Sequence, residues 1–246
     1  MQESRIADLL DPFLGPKDQR PDTPGLLRHI SIYIDILQRW NARVNLTAIR
    51  NEDEIVTRHF GESLFVARHL FPIRVASDLQ PEPGDFAPLG GISPGSSARK
   101  DFELADIGSG AGFPGIPIKL WAPNISLTLI ESNHKKATFL REVARALTLA
   151  NVDIQTARAE SLTEASFDVV TIRAVERFES ILPIAERLLS GTGRLALLIG
   201  RAQLSQAQST LPSLHWSNPA PIPNSQSRLL VVATVVDERH QTSNKW

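Results

Sequence analysis

The run Leu104–Gly115, LADIGSGAGFPG, places an acidic side chain just ahead of four glycines: Asp106, then Gly108, Gly110, Gly112 and Gly115. Glycine lets a second molecule come close to the backbone. The amides of such a turn, and of a helix that follows it, attract negative charge. Phe102–Ile107 is a short apolar run that reads as a buried strand, and Ile116–Trp121 has an apolar helical pattern. Strand, glycine-rich turn and helix in this order make a nucleotide-type binding corner.

The elements that must position this corner follow it in the chain. Strands are predicted at Ser126–Ile130, Val152–Ala157, Phe167–Ile172, Arg194–Ile199 and Arg228–Val236. Helices are predicted at His134–Leu149, Glu179–Leu189 and Gln203–Leu211. This alternation predicts a parallel α/β sheet covered by helices. The last two strands are expected to pair as an antiparallel hairpin at one edge. In such sheets ligands sit outside the carboxyl ends of the strands. Polar groups stand at four of those ends: Asp106 with the glycines, Glu131, Ala159-Glu160 and Arg173. Glu131 lies about twenty residues beyond the glycine turn, where a carboxylate can accept both hydroxyls of a ribose. Glu160 with the adjoining backbone can frame an adenine. Together these positions favour an adenosine-type ligand.

Ahead of the corner, residues 1–75 read as helices. Ile6, Leu9, Leu10, Phe13 and Leu14 form one stripe. Leu26, Leu27, Ile30, Ile34, Leu37 and Trp40 form a second, opened by Thr23-Pro24. Ile55, His59, Ser63, Val66 and Leu70 form a third that begins near Glu52. Trp40 is read as a core anchor, and Asn45 and Thr47 as turn and cap residues. Residues 76–101 are rich in Pro, Gly and Ser and read as a flexible linker. Residues 102–246 then make up the α/β domain.

Composition removes several classes of function. There is no cysteine among the 246 residues, which excludes disulfides, thiolate metal sites and a thiol nucleophile. The six histidines show no metal-ligand spacing, so no metal is expected. Net charge is −1, so any nucleic-acid surface must be a local patch. No secretory signal and no membrane-spanning apolar run is apparent, and a cytoplasmic protein is expected.

Gly110–Gly115 fits G-x-G-x-x-G, so a nicotinamide cofactor is one option. Against it, Asp106 suits a cationic amino-acid moiety better than a pyrophosphate, the sheet ends antiparallel, and no second catalytic domain follows. These features suit S-adenosyl-L-methionine. A module that kept the fold for RNA or nucleotide binding without chemistry is a third option.

A wider set of residues narrows these. Trp40-Asn41 with Asn45-Leu46-Thr47, Arg58-His59-Phe60 with Ser63-Leu64, Asp106–Gly115, Glu131-Ser132 with Lys135-Lys136 and Phe139-Leu140, Arg173-Ala174, and Arg228–Val231 together resemble the glucose-inhibited division protein B family. These are bacterial guanine-N7 methyltransferases of 16S rRNA. The resemblance implies a Rossmann-like S-adenosyl-L-methionine-dependent methyltransferase fold. Its mostly parallel seven-stranded sheet would carry an antiparallel edge hairpin and a helical N-terminal extension. It implies methyl transfer to guanine N7 in the 530 loop, with 16S rRNA in the small ribosomal subunit as partner and a monomer as the working unit. By position it carries cofactor contacts to Gly108, Phe113, Ala159, Glu160 and Arg173. Gly61-Glu62 departs from the family's more usual bulky residue and Asp. Lys135 and Lys136 are the candidate RNA contacts, because their helix starts beside the strand ends. No residue is proposed as a general base, and Arg173 is open between a ligand contact and an ion pair with Glu160 or Asp106.

Overall fold

Strong apolar runs build the sheet. In the computed structural model, which describes residues 1–20, 25–73, 102–162, 166–175 and 177–235, the strands are β1 (Glu103–Ile107), β2 (Ser126–Ile130), β3 (Val152–Gln155), β4 (Phe167–Arg173), β5 (Leu189–Gly200), β6 (Leu214–Trp216), β7 (Ala220–Pro221) and β8 (Arg228–Val235). The order β3-β2-β1-β4-β5-β8-β6 forms one path of seven, with the two-residue β7 also on β8. β1 to β5 are parallel, and β8 runs antiparallel to β5, β6 and β7. This is the expected mostly parallel sheet with antiparallel C-terminal strands, except that β8 lies inside the sheet and β6 takes the edge. Central strands covered on both faces must be apolar nearly throughout, and Leu104–Ile107 and Val169–Ile172 are buried.

The differences from expectation have local causes. β5 begins at Leu189, five residues early, and its register on β4 jumps from Phe167↔Leu189 to Val169↔Arg194 at a bulge where Gly193 has no room for a side chain, a Cβ there lying 2.9 Å from Phe167 O. β6 has no counterpart among the expected strands; it is a three-residue strand that pairs β8 through Leu214↔Val235 to Trp216↔Ala233. The Thr23-Pro24 helix start, the 76–101 linker and the end of the last strand at Val236 lie outside the described residues.

The helices are α1 (Glu3–Leu14), α2 (Leu26–Asn41), α3 (Glu52–Glu54), α4 (Glu62–Leu70), α5 (Gly115–Trp121), α6 (His134–Ala146), α7 (Phe178–Arg187) and α8 (Leu204–Thr210). Between α3 and α4 the predicted continuous helix is instead a π-helical stretch, Ile55–Gly61. Such widened turns recur at functional sites, and this one carries Arg58, His59 and Phe60. Gly61 ends it with no room for a side chain: a Cβ there would sit 2.7 Å from Phe13 Cδ2. The departure at this position is therefore a close packing of α1.

One buried cluster joins the N-terminal helices to a face of the sheet. It runs from Ile6, Leu10 and Phe13 through Tyr33, Leu37 and Phe60 to Phe113, Leu129 and Phe139. A second lies under α7 and α8 on the other face. Trp40 is half-buried, as an anchor should be: its ring meets Phe139 edge-on at 5.8 Å and its Nε1 donates to Glu142 Oε2 at 2.9 Å. The loop after α2 is organised by buried Asn41. Its Oδ1 accepts from the Leu46 and Thr47 amides, and its Nδ2 donates to Thr47 O.

Candidate functional site

The glycine turn stands at the carboxyl end of β1, and its four glycines do two jobs. Gly108, at φ +68°, is exposed to solvent. Its amide and that of Ser109 donate to Ile130 O at the end of β2. Gly110 is partly exposed, with nothing nearer than 3.7 Å to a Cβ built on it. Gly112 and Gly115 face inward instead. A Cβ on Gly112 would collide with the Tyr33 hydroxyl, and one on Gly115 would lie 2.7 Å from Leu129 Cδ2. Two glycines leave a bare surface, and two let the turn pack.

Asp106 does not offer its carboxylate to a ligand, which corrects the expectation that it would meet a cationic moiety. It is fully buried, with Oδ1 accepting from Thr171 Oγ1 at 2.8 Å and Oδ2 from the Gly115 amide at 3.2 Å. It braces the turn from beneath. Burial pushes its carboxyl up to about 6, against the hydrogen bonds from Thr171, Gly115 and Ser109 that favour the charge. The folded protein therefore binds this proton more tightly than the unfolded chain, and between about pH 4 and 6 this group subtracts stability as pH rises. Asp106→Asn removes that slope. The melting temperature of Asp106→Asn relative to wild type is expected to rise between pH 4 and pH 7; a constant difference over that interval would contradict the assignment.

Glu131 stands at the end of β2, nearly buried, and ties two elements together. Its Oε2 accepts from the Gly110 amide at 2.9 Å and its Oε1 from the Asn133 amide at 2.7 Å. Each oxygen keeps a second lone pair, so the carboxylate can still receive two hydroxyls. Ala159 and Glu160 form a short turn beyond β3, Ala159 buried and Glu160 exposed. Lys135 and Lys136 lie in the first turn of α6, which Asn133 caps by accepting from both their amides. Two lysines there add to the positive end of the helix dipole instead of offsetting it. The structure thus brings Gly108, Glu131 and the start of α6 to one end of the sheet.

Phe113 has its ring in the N-terminal layer. It stacks on Tyr33 at 5.3 Å and on His59 at 4.7 Å, and Phe60 meets it edge-on at 5.1 Å. Tyr33, the single tyrosine of the chain, also donates its hydroxyl to Ala111 O at 2.5 Å. The helical layer therefore grips the glycine turn by a ring stack and a hydrogen bond.

Arg173, at the end of β4, pairs with neither Glu160 nor Asp106. Its Nη2 donates to Arg58 O at 2.6 Å and to Glu62 Oε2 at 3.2 Å, and approaches His59 Nδ1 at 3.4 Å. His59 Nε2 is 2.8 Å from Thr47 Oγ1. An arginine has no acceptor to offer, so Nδ1 must carry the lone pair and Nε2 the proton, which it donates to Thr47. Burial, then Arg173, Arg58 and Arg228, hold the imidazole down to about 3, so it is neutral at physiological pH. Glu62 is buried too, and burial raises its carboxyl even against three arginines. Arg228 Nη2 lies 2.5 Å from Glu62 Oε1.

Tyr33, His59, Glu62 and Arg228 stand at this site without being among the residues that the sequence offers for it. The sequence signals were a tyrosine inside an aliphatic stripe and the Arg58-His59-Phe60 run. Among the described residues no group of His, Asp or Glu could hold a metal, and no helix is long and apolar enough to cross a membrane.

A family model described as GidB, rRNA small subunit methyltransferase G, matches residues 26–78 and 92–218. The ribosomal RNA small subunit methyltransferase G of Xylella fastidiosa strain 9a5c is 37% identical over 185 residues, covering 75% of this chain and 73% of that protein. That of Halorhodospira halophila is 36% identical over 210 residues, covering 85% and 82%. Among solved structures, a SAM dependent methyltransferase from Aquifex aeolicus superposes with a TM-score of 0.47 at 15% identity, covering 55% of this chain and 82% of that one.

Proposed function

The chain belongs to the rRNA small subunit methyltransferase G family, S-adenosyl-L-methionine-dependent enzymes acting on 16S rRNA, and we propose that its acceptor is N7 of a guanine in the 530 loop. The observation that carries the reading is the bare turn at Gly108 and Gly110 beside a carboxylate, Glu131, with acceptor capacity left. That surface fits an adenosine group: Glu131 receives ribose hydroxyls, and Ala159 with Glu160 frames the base. Gly108, Phe113 and Arg173 complete the cofactor contacts in this reading. Family membership sets aside the nicotinamide alternative. The protein works as a cytoplasmic monomer on the small subunit.

When bound, the cofactor supplies an electrophilic methyl group on a sulfonium. Guanine N7 has an in-plane lone pair and no proton, so no side chain has to remove one. The site residues suit that demand. His59 has both ring nitrogens engaged, and Asp106 is buried and bonded on both oxygens. The protein's task is to hold the reacting atoms in line at roughly 3–3.5 Å.

Transfer of labelled methyl from S-adenosyl-L-methionine to unmodified small subunits tests the reading. Label is expected at guanine N7, and the single-turnover rate is expected to be flat over about pH 6–9, where a poised base would otherwise show. No transfer would leave an RNA-binding module without chemistry. A bell-shaped profile abolished by replacing one Glu or His would demand a base.

Lys135 and Lys136 would meet the RNA backbone. Lys135→Glu with Lys136→Glu is expected to weaken RNA binding and reduce the slope of affinity against salt by about 2, one counterion per lost phosphate contact. Affinity for S-adenosylhomocysteine should not change. An unaltered slope would put the RNA elsewhere, with the N-terminal helices next in line.

A further inference from the structure

Glu62 sits where three parts of the chain meet. It opens α4 in the N-terminal helical layer and is 1% exposed. One oxygen lies 3.2 Å from Arg173 Nη2, at the carboxyl end of β4, and the other 2.5 Å from Arg228 Nη2, the first residue of β8. Strand register sets Arg173 opposite Leu198 and Arg228 opposite Gly200, and Ile172 opposite Ile107. Both arginines therefore stand on the same end of the sheet as the glycine turn.

We propose that Glu62 is a positioning residue for methyl transfer, its carboxylate holding Arg173 and Arg228 side by side so that their remaining donors serve the substrate–cofactor pair. This rests on the functional reading above and adds to it the residue that sets the two arginines. Burying an ion triad is a poor means of stabilising a fold. Two donors of this triad, Arg173 Nη1 and Arg228 Nε, are shut from solvent and make no hydrogen bond among the described residues, and Glu62 Oε1, 2.5 Å from Arg228 Nη2, is held by charge without a directed hydrogen bond. Orphan cationic donors are costly and call for an acceptor that the protein itself does not provide. Two like charges brought together from separate strands also repel, and each arginine has several bonds free to rotate. A carboxylate between them cancels the repulsion and fixes each side chain by one nitrogen. His59 and Arg58 O brace Arg173 from the same helical layer. The triad keeps a net positive charge, which suits an anionic or carbonyl oxygen.

A merely structural clasp between helices and sheet predicts different kinetics. Glu62→Gln, Arg173→Gln and the double variant are compared with wild type in single-turnover transfer at saturating cofactor and subunits, with near-UV circular dichroism and melting to confirm folding. Glu62→Gln is expected to slow the step about tenfold or more. In the Arg173→Gln background the same change should cost clearly less than in wild type, because one of the two arginines it acts through is already gone. Glu62→Asp, which keeps the charge on a shorter arm, should recover part of the rate. If Glu62→Gln does not fold, Glu62→Asp takes its place in the cycle. An unchanged rate in Glu62→Gln, or equal losses in both backgrounds, would overturn the positioning role. Wild-type protein that transfers no methyl group would overturn the functional reading itself; wild-type transfer with additive losses would overturn the role of Glu62 alone.

Discussion

Gly108→Val is expected to fold and to lose more than a hundredfold in affinity for S-adenosylhomocysteine. Gly108 is exposed at φ +68°, so the new side chain would project from the surface turn into the approach of a ligand. A left-handed backbone costs an ordinary residue about 1–2 kcal/mol, and the Cβ would lie 3.0 Å from Val175 Cγ1, which must give slightly. A loss of this size is small beside the roughly 5–15 kcal/mol that holds a domain together. The damage to binding should therefore far exceed the damage to folding. Gly110→Ala is the control, since its Cβ meets nothing within 3.7 Å at φ +54°. It carries similar strain without the bulk and should bind more tightly than Gly108→Val. Calorimetry beside a thermal melt separates the two effects. Normal affinity in Gly108→Val would move the cofactor away from this turn.

The features legible in the sequence are those written in local pattern. β2 falls at Ser126–Ile130 as read, and the glycine turn and Glu131 stand at adjacent strand ends, because an apolar run closed by turn residues is a local signal. What could not be read depends on burial or on partners far along the chain. Asp106 has the residue type of a ligand contact, yet Thr171 and the Gly115 amide take up its two oxygens and make it a brace, and neither partner is visible from the apolar run around it. The four glycines look alike in sequence, but Tyr33 and Leu129 decide that Gly112 and Gly115 are packing positions. Arg173 finds Glu62 across 111 residues, and the π-helical stretch Ile55–Gly61 brings His59 beside it. Long-range charge pairing has no signature in periodicity.

Phe113 brings these two levels together, and Phe113→Ala is the second large effect expected. The resemblance assigns Phe113 to the cofactor, while the structure packs its ring between Tyr33 and His59 with Phe60 at the edge. Truncating a buried phenylalanine costs about 3–5 kcal/mol, and aromatic neighbours add to the loss. For a chain of this size that lowers the melting temperature by roughly 10 °C. The cavity would open beside Ala111, whose carbonyl takes the Tyr33 hydroxyl, and Gly112, whose bare face Tyr33 covers. Loss of the ring therefore loosens the turn from within, and cofactor affinity should fall together with stability. Phe113→Leu, which refills most of the volume, separates the two roles. If the ring acts through packing alone, Phe113→Leu recovers melting temperature and S-adenosylhomocysteine affinity in step. If the aromatic face also touches the cofactor, stability returns while affinity stays low. A Phe113→Ala protein that melts like wild type would show that the helical layer does not depend on this ring, and the grip of Tyr33 and His59 on the turn would have to be abandoned.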